Sequence, residues 1–172
     1  MKYRLIFRLS GDMIKIKEIK NCVDAGDLDC LAQVQDVHNL TGAFKLFFRE
    51  LKDPLLPWET ALSLITCEKE KNKSKRIKSI KAELSKLPTV NKETLKVLLQ
   101  HLDKVQESSD KNKMDAKNLA TVFGPCVTWR PIVDRDELVN DLMNQKSLAE
   151  MLISHCKYIY GIPIPAQKKY LK

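Results

Sequence analysis

The chain of 172 residues has the length of one domain and is long enough to bury a core without disulfides or metals. Its 30 Lys and Arg residues outnumber its 22 Asp and Glu residues, giving a net charge of +8, and its 44% hydrophobic content excludes a disordered chain. Five glycines and seven prolines are too few for a many-stranded sandwich or barrel, so long helices are expected. No apolar run has the length of a membrane span, and the apolar start ends at Arg8, too early for a signal peptide.

The first two predicted helices occupy the N-terminal third of the chain. Ser10-Gly11-Asp12 is expected to provide the cap of the first one, which ends at Gly26 and has apolar residues at near-helical spacing: Met13, Ile16, Ile19 and Val23. The second ends before Asp53-Pro54, because the residue before a proline is disfavoured in a helix. Its predicted apolar face consists of Val37, Leu40, Phe44, Phe47, Phe48 and Leu51. Its predicted polar stripe, spaced by four, consists of Thr41, Lys45 and Arg49.

The middle of the chain predicts two or three further helices. One starts near Pro57-Trp58, and a charged stretch over residues 68–81 leads into a segment that ends at Leu87-Pro88. Asn91 is expected to cap the next helix. The apolar seam of that helix consists of Leu95, Leu98, Leu99, Leu102 and Val105.

Two more segments complete the predicted architecture. Asp115 is expected to cap a short helix that ends at Gly124-Pro125. The last segment runs from about Asp136 to Tyr160, and residues 144–147 are the place where it would be interrupted. Taken together, the pattern predicts a single all-α domain of about seven helices.

The chemistry-bearing residues show no enzyme motif. The five cysteines are odd in number and lack a C-x-x-C pair, which predicts reduced, singly packed thiols and a cytoplasmic protein. The three histidines lack the H-x-x-x-H spacing of a zinc site, so no metal is expected. Phosphate-binding loops of the G-x-x-x-x-G-K-[ST] and G-x-G-x-x-G types and a G-x-S-x-G elbow are also absent from the sequence.

Four blocks of sequence resemble the motifs of the Rho GTPase-activating protein (RhoGAP) domain, in that family's order. Phe7-Arg8-Leu9-Ser10-Gly11 resembles its opening F/Y-R-x-S-G signature. Residues 36–55 resemble its D-x-H…L-K-x-F-x-R-E-L-P-x-P-L block, and residues 87–102 its L-P-x-x-N…L…L…H-L block. Residues 112–125 resemble its N-K-M…N-L-A-x-V-F-G-P block. The resemblance covers roughly residues 5–160 and implies the all-α RhoGAP fold.

The resemblance also implies a function. Proteins of this family stimulate GTP hydrolysis by a GTP-bound Rho-family small GTPase, inserting an arginine whose planar guanidinium bridges phosphate oxygens. Arg8 matches that catalytic arginine. The protein would then be a regulator of an enzyme rather than an enzyme, acting in signal transduction. It would need no cofactor of its own, since GTP and Mg²⁺ belong to the partner.

Four other residues match positions that would contact the GTPase. Lys45 and Arg49 match a second basic pair, whose implied roles are to position the Arg8 segment and to contact the acidic GTPase surface. The alternative for both is a solvated helix face. Asn118 matches the asparagine of N-L-A, whose amide would reach the partner or turn back to the Arg8 segment. Pro125 is either a contact or part of a helix stop.

The resemblance leaves the domain limits and the partners as expectations. RhoGAP domains have further helices before the arginine, so residues 1–162 are predicted to form a domain lacking its N-terminal helices, with a basic tail over residues 163–172. An alternative function is therefore a non-catalytic GTPase-binding module in which the shortened fold misplaces Arg8. The basic stretch over residues 68–81 is a solvated surface or contacts an anionic membrane weakly. Nucleic-acid binding is not expected, and neither is oligomerisation.

Overall fold

A computed structural model describes residues 3–131 and 134–162 of the chain. The predicted basic tail over residues 163–172 lies outside this part. The described residues form ten α-helices and contain no β-strand, which confirms the all-α class. None of these helices combines the length and hydropathy needed to span a membrane. The helices are α1 Met13–Asp24, α2 Cys30–Gln33, α3 Val37–Arg49, α4 Trp58–Glu68, α5 Lys73–Ser85, α6 Thr89–Gln106, α7 Ser109–Asn112, α8 Ala116–Val127, α9 Arg135–Ser154 and α10 Cys156–Tyr160.

The count exceeds the predicted seven because three of the helices are short. The helices α2, α7 and α10 have four or five residues each, and a single turn is too short to show a helical period in the sequence. The long helices α1, α3, α4 and α6 begin close to where the sequence places them. Asp12 of the predicted cap segment caps α1, because its side chain accepts a hydrogen bond from the backbone N–H of Ile14 at 2.7 Å.

The core of the molecule forms around α6. All five residues of its predicted seam, Leu95, Leu98, Leu99, Leu102 and Val105, are at most 3% exposed. This helix contacts α8, α9 and α10, and Phe123 of α8 is the largest fully buried side chain. The predicted cap of α6 is wrong. Pro88 occupies that position, while Asn91 donates from Nδ2 to the carbonyl oxygen of Leu55 at 2.9 Å and ties α6 to the loop between α3 and α4.

The most extensive helix pair is α8 against α9, and it corrects the predicted end of α8. This helix passes through Gly124-Pro125 and ends at Val127. A Cβ atom at Gly124 would lie 2.6 Å from the backbone oxygen of Gln145, so the glycine allows the two backbones to touch. Pro125 lies in the last turn, where its missing N–H removes only one hydrogen bond from the helix.

The last predicted segment also differs from the structure. The helix α9 is continuous over residues 144–147, and the break comes at His155, which separates it from α10. Leu138 and Leu142 are 37% and 43% exposed. The buried side of this part of α9 instead carries Asp141, whose carboxylate accepts a hydrogen bond from Nε of Arg130 at 2.7 Å. An ion pair therefore replaces apolar burial at the start of α9.

Candidate functional site

Residues 4–9 form a turn that precedes α1, and this turn presents Arg8 to solvent. The backbone N–H groups of Arg8 and Leu9 donate to the carbonyl oxygen of Leu5, at 3.0 and 3.1 Å. The N–H of Leu5 donates to the carbonyl oxygen of Asn112 at 2.7 Å and so ties the turn to the end of α7. Arg8 is therefore exposed on a turn that both α7 and the backbone of the turn itself hold in place.

Phe7 anchors the turn in the core in spite of an unfavourable backbone. Its φ is +69°, in the left-handed region, which costs a non-glycine residue about 1–3 kcal/mol. The ring is 3% exposed and packs edge-on against Phe123, with centroids 5.0 Å apart, and against His101, at 5.8 Å. Burial of this ring offsets the backbone strain, since burying an aromatic side chain stabilises by about 1.5–3 kcal/mol. Ile6 and Phe7 are both buried, whereas Arg8 is exposed.

Lys45 braces the turn from α3. Its Nζ donates to the carbonyl oxygen of Phe7 at 2.6 Å, on the peptide group that joins Phe7 to Arg8. Half-burial lowers the pKa of Lys45, and the nearby Arg49 cation lowers it further. The lysine therefore contacts the Arg8 segment, the first of the two roles that the sequence implies for it.

Arg49 lies one turn further along α3 and contacts α8. Its Nε donates to Sγ of Cys126 at 3.2 Å, while the side chain stays exposed. Burial raises the pKa of the Cys126 thiol, an effect that Arg49 and Lys45 partly oppose. The neutral thiol in turn donates to the carbonyl oxygen of Val122 at 3.0 Å. This chain of contacts holds the base of the Arg49 guanidinium against the helix pair α3–α8.

Asn118 connects the first turn of α8 to Arg8. Its Oδ1 accepts a hydrogen bond from Nη1 of Arg8 at 2.9 Å, and its Nδ2 donates to the carbonyl oxygen of Lys113 at 3.0 Å. The sequence left two contacts open for this amide, one with the partner and one with the Arg8 segment. The structure shows the contact with Arg8. We refer to Arg8, Lys45, Arg49 and Asn118 as the Arg8 cluster.

Pro125 is not joined to Arg8 by any contact among the described residues, and its interpretation as a helix stop is wrong. It is half-buried in the last turn of α8, directly before Cys126, the partner of Arg49. Pro125 therefore lies beside the Arg8 cluster, and its contact with the GTPase stays a prediction.

The polar stripe predicted on α3 is only partly correct. Thr41 is 5% exposed, and its hydroxyl donates to the carbonyl oxygen of His38 at 3.2 Å, so it belongs to the interior. Phe47 was assigned to the apolar face but is 55% exposed. Phe48, from the same predicted face, is 2% exposed. The buried face of α3 therefore differs from the predicted one, because the Arg8 turn and α1 also pack on this helix.

Asn112 is a structural residue of this site that the sequence reasoning did not single out. Its fully buried side chain donates from Nδ2 to the carbonyl oxygen of Val105 at 2.8 Å, and its Oδ1 accepts from the N–H of Met114 at 2.8 Å. Its own carbonyl receives the N–H of Leu5. The only sequence signal was its place in the N-K-M block. The only sequence signal for Phe7 is likewise its place in a motif, the F/Y-R-x-S-G signature.

Fold and site together define an all-helical domain with an exposed arginine on a braced turn, and three comparisons place it among known proteins. The chain matches the RhoGAP domain over residues 1–132. It is 34% identical to human Rho GTPase-activating protein 27 over 158 residues, 90% of this chain and 18% of that protein. It is 42% identical to the WW domain-containing protein tag-325 of Caenorhabditis elegans over 120 residues, 70% of this chain and 14% of that protein.

A solved structure agrees with these sequence matches. The crystal structure of human Rho GTPase-activating protein 15 is similar with a TM-score of 0.84 and 32% sequence identity, covering 93% of this chain and 76% of that chain. The chain belongs to the RhoGAP domain family. It spans less than a fifth of the length of the two curated relatives described above.

Proposed function

We propose that this protein stimulates GTP hydrolysis by a Rho-family small GTPase in its GTP-bound state. Arg8 enters the nucleotide site of the partner and neutralises charge that develops on the transferred phosphoryl group. GTP and Mg²⁺ belong to the partner, so the protein acts as a regulator that completes another protein's active site. The observation that carries the proposal is the exposed Arg8 on a turn held by the core, in a chain of the RhoGAP family.

The geometry supports a role for Arg8 that a flexible surface arginine would not have. Phe7 fixes the turn from inside, and the Lys45 bond to its carbonyl fixes the peptide group that leads into Arg8. A preorganised cation costs little reorganisation when it stabilises a transition state. The planar guanidinium also matches the geometry of phosphate oxygens, with which it forms paired hydrogen bonds.

The bond between Arg8 and Asn118 fits the same proposal. It is an exposed hydrogen bond to one terminal nitrogen of the guanidinium, which has five N–H donors. Exchange of such a bond for one to an anionic phosphate oxygen is favourable, because hydrogen bonds between two charged groups are stronger. We propose that Asn118 holds Arg8 extended before the partner docks and that Lys45 and Arg49 face the partner's acidic surface.

The test is single-turnover GTP hydrolysis by a panel of Rho-type and Rac-type GTPases, with the original protein and with Arg8→Ala. An arginine supplied in trans accelerates hydrolysis by about 10³–10⁵-fold, so Arg8→Ala is expected to lose an effect of that order. Arg4→Ala is the matched control, because Arg4 is an exposed arginine on the same turn. Equal acceleration by Arg8→Ala and by the original protein would overturn the assignment of Arg8.

A second candidate function is a GTPase-binding module without catalytic effect. The hydrogen bond from Arg8 to Asn118 favours it, because that bond directs the guanidinium toward α8 in the isolated chain. Binding to a GTPase loaded with a non-hydrolysable GTP analogue, measured by calorimetry, separates the two candidates. Binding without faster hydrolysis of GTP selects the module, and binding with faster hydrolysis selects the activator.

A further inference from the structure

The turn between α1 and α2 brings together three side chains that are ligands of thiophilic metals. One donor atom from each of Cys22, Asp27 and Cys30 lies within 4.8 Å of the others. Cys22 is in the last turn of α1, Asp27 is in the connecting loop, and Cys30 is the first residue of α2. We refer to these three residues as the thiol cluster. It lies at the opposite end of α1 from Arg8, and α1 is about 18 Å long for its twelve residues.

The backbone of the loop holds the three side chains on one side. Gly26 has a φ of +84°, which reverses the chain after α1, and the N–H of Asp27 donates to the carbonyl oxygen of Cys22 at 3.0 Å. Oδ1 of Asp27 accepts from the N–H groups of Asp29 and Cys30, at 3.0 and 3.3 Å. The carboxylate and the two thiols are therefore positioned by main-chain contacts rather than by chance encounters of surface side chains.

The spacing of the donors is close to that of a zinc site. Zn–S bonds of about 2.3 Å and Zn–O bonds of about 2.0–2.2 Å in a tetrahedron place the donors about 3.5–3.8 Å apart. Small side-chain rotations suffice to close the 4.8 Å cluster to that size. Two thiolates select a soft or borderline cation over Mg²⁺ or Ca²⁺, and three protein ligands leave a fourth position for water.

The helix α2 has little core packing of its own. Asp24 and Asp29 flank the thiol cluster in the sequence. The protonated Cys30 donates to the carbonyl oxygen of Asp27 at 3.1 Å. The helix α2 contains no buried residue, so core packing contributes little to its position. A cation bound by both sulfur atoms would join α2 to α1.

We propose that Cys22, Asp27 and Cys30 bind one Zn²⁺ ion, with water as the fourth ligand. Binding replaces the two thiol protons by metal–sulfur bonds and releases them to solvent, with no change in the oxidation state of any atom. The ion connects the end of α1 to α2. Its role is structural, because it lies at the opposite end of α1 from Arg8.

The test is titration of the reduced, metal-free full chain with Zn²⁺ against a chromophoric chelator, in a phosphine reductant that does not bind the metal. One equivalent is expected to bind, and Cys22→Ser and Cys30→Ser are expected to weaken binding by more than about 100-fold, because each removes a ligand. Asp27→Asn is expected to weaken it by about tenfold or more. Cys67→Ser is the matched control, since Cys67 is a half-exposed free thiol outside the cluster.

Two further readouts do not depend on variants. Co²⁺ in place of Zn²⁺ is expected to give the intense visible bands of a tetrahedral site and the thiolate-to-metal charge-transfer band. Hydrogen exchange of the amides in residues 25–33 is expected to slow when Zn²⁺ is present. Absence of stoichiometric binding, or binding that is unchanged in both serine variants, would overturn the proposal, and so would equal loss in Cys67→Ser.

These results are independent of the proposed activity. Cys22→Ser is expected to stimulate GTP hydrolysis within about twofold of the original protein, since surface changes away from a site have small effects. Loss of zinc binding with retained stimulation therefore tests the thiol cluster alone. Absence of stimulation with retained zinc binding tests Arg8 alone.

Discussion

Two basic regions of this protein differ in how their charges are held. In the Arg8 cluster, each cationic side chain has a defined partner on another element: Asn118 for Arg8, the Phe7 carbonyl for Lys45 and Cys126 for Arg49. The lysines of α5 are more numerous and mostly exposed, and we refer to Lys73, Lys75, Lys78 and Lys81 as the α5 lysines. Of these, Lys73 lies over the ring of Tyr158, with Nζ 3.8 Å from its centroid.

The difference teaches that the density of charge in a sequence does not locate a site. The α5 lysines dominate the charge pattern, yet their side chains remain exposed to solvent. The three cations of the Arg8 cluster are spread over 42 positions of sequence, and the fold brings them together with fixed orientations. A cation that is already oriented acts on a partner at lower entropic cost than a flexible one.

The largest expected effect is that of Arg8 itself. Arg8→Ala removes the cation and is expected to lower the stimulated rate of GTP hydrolysis by about 10³–10⁵-fold. Arg8→Lys keeps the charge but has no planar fork, so it is expected to recover only a small part of the loss. Single-turnover hydrolysis measures both. Full activity of Arg8→Lys would show that charge alone suffices and would remove the distinction between the two basic regions.

The next effect is that of the brace. Lys45→Met keeps the half-buried stem and removes the donor to the Phe7 carbonyl, a charge-assisted hydrogen bond of about 1.5–3 kcal/mol. We expect kcat/KM for the stimulated reaction to fall by about 10- to 150-fold.

The control for this change is Lys52→Met, since Lys52 is an exposed lysine just after α3. Circular dichroism establishes that both variants are folded. Unchanged kinetics in a folded Lys45→Met variant would show that Arg8 does not depend on the brace.

A smaller effect is expected for Asn118→Ala. This change removes the acceptor for Nη1 of Arg8 and the donor to the Lys113 carbonyl, both at exposed positions. The bond from Arg8 is charge-assisted, at about 1.5–3 kcal/mol, and the bond to Lys113 is an ordinary one of about 0.5–1.5 kcal/mol. Replacement by water at these exposed positions reduces both contributions. We expect a loss of about 3- to 30-fold in the stimulated rate, against a near-neutral Lys117→Ala control on the same helix. A rate increase would mean that Asn118 restrains Arg8 rather than extends it.

The smallest effect is expected for the α5 lysines. Lys78→Ala combined with Lys81→Ala removes two exposed charges, and such changes lie within about 0.5 kcal/mol, or about twofold in rate. Hydrolysis measured in solution without lipid tests this. A loss comparable to that of Lys45→Met would place α5 in the GTPase contact and reverse the comparison between the two regions.

The motif positions supplied the candidate residues of the site, but the residues that hold them in place were missed. Arg8, Lys45, Arg49 and Asn118 came from motif positions, and the structure brings all four together. Phe7 and Asn112 hold the turn, but their roles depend on a left-handed backbone and on contacts between residues about 100 positions apart. Hydrophobic periodicity does not encode such contacts, because it reports which face of a helix is apolar and not what covers it.

The prediction of helix ends failed where helices touch. Gly124-Pro125 has the composition of a helix stop, yet α8 continues because the glycine lies against the backbone of α9. Residues 144–147 of α9 have a polar composition but stay helical, with Gln145 buried at the same contact. Local preferences of about 1 kcal/mol per residue are smaller than the packing free energy of such an interface.

The sequence by itself determined the helical class, the α6 seam and the positions that resemble RhoGAP motifs, because these features depend on residue type and spacing along one segment. Only the tertiary structure decided that Phe7 is buried while Arg8 is exposed and that Lys45 supports the peptide group between them. Each of these is a contact between separate segments whose free energy arises only when the whole chain has folded.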